Sequence, residues 1–177
     1  MLTEPKHFKG SLSNIAKVRE STQLPVLMKD IIVSPKQLET ASQIGANAVL
    51  LIQAIFDRGY CLMNLAEMVA KAHSKNLEVL LEAHTMSEFK RASKTEADLV
   101  GINNRNLCTL QTDLGVTKKI LKKSHRKDKV IVSESGINTS ADVHFLRNCG
   151  AQAFLIGSAV MTADDVEAKV REFVNAQ

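Results

Sequence analysis

The residues with the clearest chemical potential stand where short apolar runs stop. Val130-Ile-Val-Ser-Glu-Ser-Gly-Ile137 and Ala153-Phe-Leu-Ile-Gly-Ser158 both pass from β-branched or bulky apolar residues into glycine and serine. This reads as a buried parallel strand delivering a small-residue loop to a helix start. Glycine lets backbone approach an anion closely, serine adds a hydroxyl donor, and a helix N-terminus offers unpaired N–H groups. Ser135, Gly136, Gly157 and Ser158 are therefore the candidate phosphate-binding residues; ordinary strand-to-helix turns are the plainer alternative. The loops after strands seven and eight of a (β/α)8 barrel are the usual phosphate site of that fold.

Ionisable groups mark the ends of other apolar runs. Lys29 interrupts Pro25-Val-Leu-Met-Lys-Asp-Ile31, where it can donate a proton or hold an anion, or else snorkel to a carboxylate such as Asp30 or Glu4. Glu82 closes Leu77-Glu-Val-Leu-Leu81, and Glu134 closes Val130-Ile-Val-Ser133. A carboxylate there is costly unless paired or open to a cavity. One suits acid–base work beside Lys29 and the other suits substrate hydroxyls, with strand-terminating ion pairs as the alternative. Asn103 can donate to and accept from a hydroxylated substrate, while Arg105 can pair with a carboxylate or anchor its loop to a neighbouring strand. His84 follows Glu82 at a strand end, but His7, His73, His125 and His144 lack metal-ligand spacing, and no metal is expected.

Such residues need elements to position them. The pattern predicts strands at Met1–Thr3, Pro25–Ile31, Ala48–Ile52, Glu78–Glu82, Leu99–Ile102, Val130–Ser133 and Ala153–Ile156. Helices are predicted at Ser11–Ser21, Pro35–Ile44, Arg58–Lys75, Ser87–Thr95, Leu114–Lys123, Ser140–Cys149 and Asp164–Val174. Strict alternation implies parallel strands with right-handed crossovers. The expected fold is α/β, an incomplete (β/α)8 TIM barrel with its first strand absent, formed by residues 1–177 as a single domain. An open doubly wound sheet would alternate likewise, but no Gly-x-Gly-x-x-Gly follows an early strand.

The chain has 177 residues, 45% hydrophobic and 24% charged, as expected of a soluble globular domain. A full barrel usually needs about 250 residues, so roughly one βα unit is wanting. No run approaches a membrane span and the N-terminus lacks a signal-peptide layout, which points to a cytoplasmic protein without a membrane partner. Cys61, Cys108 and Cys149 are scattered and odd in number, so no disulfide framework is indicated. The net charge of +4 is densest from Lys118 to Lys129, without interleaved aromatics, and reads as a solvated helix face; nucleic-acid binding is not expected.

Five motifs in order and register, Leu2-Thr-Glu-Pro-Lys-His-Phe-Lys-Gly-Ser11, Pro25-Val-Leu-Met-Lys-Asp30, Gly101-Ile-Asn-Asn-Arg-Asn-Leu107, Val132-Ser-Glu-Ser-Gly-Ile137 and Phe154-Leu-Ile-Gly-Ser158, resemble indole-3-glycerol-phosphate synthase. The resemblance implies a cofactor-free lyase of tryptophan biosynthesis. It would close the indole ring of 1-(2-carboxyphenylamino)-1-deoxyribulose 5-phosphate with loss of carbon dioxide and water. By resemblance Lys29 is the general acid and Glu82 takes part in proton transfer; Asn103 and Glu134 bind substrate hydroxyls. Ser135, Gly136, Gly157 and Ser158 bind phosphate, and Phe8 walls the aromatic pocket. The family pattern also carries an N-terminal helix and a first strand with a further lysine, glutamate and phosphate loop, which this sequence does not contain. The isolated chain is accordingly expected to be impaired as an enzyme, the alternative being a non-catalytic phosphate-binding or self-assembling barrel fragment. Unpaired strand edges would favour a homodimer.

Overall fold

The computed structural model describes residues 1–7, 9–124 and 129–176; Phe8 and His125 lie outside them. The fold divides into two compact units, Met1–Glu82 with Lys94–Asp98, and Ala83–Ser93 with Leu99–Gln177.

In the first unit the elements are α1 (Ser13–Ser21), β1 (Leu27–Met28), α2 (Pro35–Gln43), β2 (Ala48–Ile52), α3 (Gln53–Asp57), α4 (Leu65–His73) and β3 (Glu78–Ala83), whose last residue belongs to the second unit. The strands run parallel in the order β1-β2-β3, with Leu27 opposite Ala48 and Ile52 opposite Glu82. Val49, Leu50 and Leu51 are fully buried, so β2 is covered on both faces and reads as a continuous apolar run rather than an alternating one. Ile15, Leu38, Met68 and Val69 supply the helical side of this core. Two helices begin on reciprocal caps: Ser34 with Gln37 before α2, and Asn64 with Glu67 before α4.

Two expectations change here. Met1–Thr3 makes only a one-residue parallel bridge, Leu2 to Lys29, in which the Lys29 N–H donates to the Met1 carbonyl and the Thr3 N–H to the Lys29 carbonyl. The helix predicted over Arg58–Lys75 is confined to α4, Leu65–His73; its first part is instead a loop that follows the short α3. Gly59, at φ 72°, ends α3, and the loop runs to the Asn64 cap with Tyr60 and Leu62 exposed. The apolar residues of that loop imitated a helical stripe, while the real start signal, Asn64-x-x-Glu67, stood inside it.

The second unit holds α5 (Met86–Ala92), β4 (Leu99–Asn103), α6 (Gly115–Lys122), β5 (Val130–Glu134), α7 (Ser140–Asn148), β6 (Ala153–Leu155), α8 (Ser158–Met161) and α9 (Val166–Asn175). Its strands are parallel in the order β4-β5-β6, with Asn103 opposite Glu134 and Glu134 opposite Leu155. Val100, Ile102, Ile131 and Val132 pack with Phe89, Ile120, Val143 and Leu146 in its core. A third reciprocal cap, Thr139 with Asp142, starts α7. Among the described residues, six parallel strands in alternation with helices make an incomplete (β/α)8 barrel fold, one strand fewer than the seven expected because Met1–Thr3 is reduced to a bridge.

Candidate functional site

In the first unit, β1 hands the chain to Lys29 and β3 carries Glu82 near its carboxyl end. Lys29 Nζ lies 2.9 Å from Glu82 Oε2, and the two side chains are 16% and 3% exposed. The bridge to Met1 and Thr3 fixes the Lys29 backbone from both sides. Asp30, a plausible partner for Lys29 from sequence alone, spends its carboxylate elsewhere: Oδ2 accepts from Thr3 Oγ1 at 2.6 Å and Oδ1 from the Ile31 N–H. A short, nearly dry contact between an ammonium and a carboxylate can pass a proton along the hydrogen bond, leaving both groups neutral, and back again. His84, just beyond Glu82 in sequence, is tied to α5 through its N–H to Glu88 Oε2 at 2.7 Å.

The second unit gathers amides and hydroxyls. Asn103 and Glu134 end neighbouring strands, opposite one another, and are 8% and 1% exposed. Asn103 Oδ1 accepts from the Arg105 N–H. The Arg105 guanidinium donates to the Leu110 carbonyl at 2.9 Å, and its backbone bridges Thr112, so this side chain braces its own loop. Ser135 and Gly136 follow β5 directly, both with left-handed backbone, at φ 67° and 79°. A Cβ on Gly136 would stand 2.9 Å from that of Thr112, a closeness only glycine permits. Gly157 and Ser158 follow β6 and open the four-residue α8. Because Glu134 is opposite Leu155, the two glycine–serine loops leave adjacent strands at the same end.

Sequence reasoning missed the centre of this unit. Asn104, 1% exposed, donates through Nδ2 to Ser133 Oγ at 3.0 Å and to the Ser135 carbonyl at 3.1 Å. Its Oδ1 accepts from the Thr117 N–H and, at 2.8 Å, from Thr117 Oγ1. Its own N–H donates to the Glu134 carbonyl at 2.8 Å. Thr117 was the available signal. It occupies a fully buried position on α6 beside Ile120 and Leu121, where a hydroxyl requires a polar partner.

Among the described residues, no group of three or more His, Cys, Asp or Glu could hold a metal ion, and no helix is long and apolar enough to cross a membrane. The basic residues Lys118, Lys119 and Lys122 lie on α6, with Lys118 Nζ 5.6 Å from the Phe145 ring centre.

Parallel strands alternating with helices, and polar groups at the strands' carboxyl ends, define a protein of the (β/α)-barrel class. The solved structure of 3-hexulose-6-phosphate synthase from Salmonella typhimurium shares this fold with a TM-score of 0.75 at 15% identity, over 99% of this chain and 85% of that one. The profile of the indole-3-glycerol phosphate synthase family matches residues 1–173, and the chain belongs to that family. It is 39% identical over 176 residues to the indole-3-glycerol phosphate synthase of Desulforamulus reducens, covering 99% of this chain and 65% of the relative. With that of Methanocaldococcus jannaschii it is 42% identical over 174 residues, 98% of this chain and 62% of the relative. The chain thus spans somewhat under two thirds of the length of these curated relatives.

Proposed function

We propose that this chain carries part of an indole-3-glycerol-phosphate synthase active site. The reaction closes the indole ring of 1-(2-carboxyphenylamino)-1-deoxyribulose 5-phosphate with loss of carbon dioxide and water, without a cofactor. The observation that carries this reading is the buried Lys29–Glu82 contact of 2.9 Å at strand carboxyl ends, in a chain whose family is named for this product. In this reading Lys29 protonates the substrate's ketone oxygen as the aromatic carbon attacks it. Glu82 exchanges the protons of the dehydration step and holds the Lys29 side chain through its 2.9 Å contact. Asn103 and Glu134 bind the ribulose-derived hydroxyls, and Arg105 holds the loop beside them. Ser135, Gly136, Gly157 and Ser158 bind the phosphate through backbone N–H groups and hydroxyls.

The setting proposed is cytoplasmic, with residues 1–177 acting as one domain and a phosphorylated small molecule as ligand. Self-association through strand edges fits β6, three residues long and half-buried, whose kind of edge proteins cover or pair. Nucleic acid is not a proposed partner. The reading is tested by following indole formation from the substrate with the purified chain, its Lys29→Ala variant and its Glu82→Gln variant. Weak turnover is expected from the chain itself, falling by about 10²-fold or more in each variant. Turnover by Lys29→Ala equal to that of the unsubstituted chain would overturn the role given to Lys29.

A further inference from the structure

The Asn104 network does more than fill hydrogen-bonding capacity in a buried place. Its backbone N–H holds the Glu134 carbonyl and its side-chain Nδ2 holds the Ser135 carbonyl. One residue therefore grips two successive peptide planes. No peptide bond is cis among the described residues, and in a trans peptide the N–H points opposite to the carbonyl of the same plane. With both carbonyls drawn toward Asn104, the N–H groups of Ser135 and Gly136 are turned away from it. The Ser135 N–H thereby faces β6, on the side where Glu134 is in register with Leu155, whereas the Gly136 N–H lies beyond the strand pairing and donates to no acceptor among the described residues.

The backbone needs this grip. Ser135 has φ 67°, a conformation that costs an L residue about 1–2 kcal/mol and is populated only where the surroundings impose it. Asn104 supplies that constraint from a neighbouring strand end, and is itself held by both Thr117 donors on α6. Aspartate could not replace it: its carboxylate would keep the acceptor side toward Thr117 but would face the Ser135 carbonyl with a lone pair. Ser133 could turn its hydroxyl round to suit a carboxylate, whereas a carbonyl cannot.

We infer that Asn104 is a positioning residue that aims the Gly136 N–H at an anionic oxygen, by holding the carbonyl at the other end of its peptide plane and the plane before it. The inference rests on the phosphate reading of that loop. The test uses the ¹⁵N-labelled chain titrated with inorganic phosphate, reading the Gly136 amide resonance. The chain itself is expected to show a saturable shift there. Asn104→Asp is expected to bind at least about tenfold more weakly at this amide, a difference corresponding to one lost hydrogen bond. Val143→Ala, a buried core truncation on α7 remote from the clamp in sequence, serves as the stability control and is expected to keep the response.

A Gly136 amide that ignores phosphate in the unsubstituted chain would overturn the cradle itself. A responsive chain together with an Asn104→Asp variant of unchanged affinity would overturn the clamp and leave the cradle standing. Should Asn104→Asp not fold, hydrogen exchange of the Asn104 side-chain amide in the unsubstituted chain decides: slow exchange supports the clamp, and exchange at the rate of an exposed asparagine overturns it.

Discussion

The two units bury different polar clusters at their strand ends. The first pairs a full charge with a full charge, Lys29 against Glu82. The second sets beside its one buried carboxylate, Glu134, a neutral cluster of amide and hydroxyl groups, Asn104, Ser133 and Thr117. The ionic arrangement can change its protonation, and each member depends on the other to offset desolvation. The neutral arrangement cannot titrate near neutral pH, but it saturates its donors and acceptors and fixes backbone direction. The difference teaches where each kind of chemistry belongs: proton transfer needs a pair that can give and take a proton, and anion binding needs N–H groups whose direction does not change.

The comparison breaks most visibly at Lys29. Lys29→Met is expected to cost about 3–5 kcal/mol in denaturant unfolding, because Glu82 is left charged and 3% exposed. The double variant Lys29→Met/Glu82→Gln is expected to recover a large part of that loss, since no lone charge remains buried. A double variant as unstable as the single would show that the pair's charge is not what matters. Asn104→Ala is expected to cost about 2–3 kcal/mol through stranded partners at Ser135 and Thr117, and the loss should be independent of salt and of pH between 6 and 8, about the range that excludes carboxylate titration. A strong pH dependence there would erase the contrast between the units.

Gly136→Ala comes next, at about 1–2 kcal/mol, because the added methyl meets Thr112 and the residue must keep φ 79°. The thermal midpoint of this variant measures the loss, and an unchanged midpoint would mean the loop shifts freely. The smallest effect is expected at Asp98. Burial pushes its carboxyl up, but the Val79 N–H at 2.7 Å and His73 at 2.9 Å outweigh this and hold it below its usual value. A depressed carboxyl stabilises the fold above its unfolded pKa of about 3.9, and that contribution is lost as pH falls through the folded value. Asp98→Asn should therefore be less stable than the unsubstituted chain at pH 6. The gap should close as the pH drops below about 4. A gap that widens in acid would reverse the sign of the shift.

Much of the architecture was readable because it is written locally. Strands β2 to β5 are runs of β-branched and aliphatic residues, and Ser34-x-x-Gln37 and Thr139-x-x-Asp142 mark helix starts within a few residues. Lys29 and Glu82 stood out because each charge closes or interrupts an apolar run. Their contact spans 53 positions, however, and no periodicity reports a partner at that distance. Asn104 was hidden for another reason: beside Asn103 it looked like one more strand-end amide, and only the fold reveals that one asparagine caps its own loop while the other joins three elements. Met1–Thr3 had the composition of a strand but pairs through a single bridge, since strand length depends on neighbours and not on side-chain type alone.

The reciprocal caps before α2, α4 and α7 carry a consequence for how such a chain can change over evolutionary time. Each closes its helix start with side chains three positions apart, so the helix does not rely on the residues just upstream for its first hydrogen bonds. The same side chains also reach back into the segments between strand end and cap: Gln37 bonds the Val33 N–H and the Ile31 carbonyl, and Asp142 the Asn138 N–H. With Ile32 and Ile137 buried and Gly136 confined by its backbone, exposed Asn138 is the position in these connections where a new specificity can be tried at least penalty to folding.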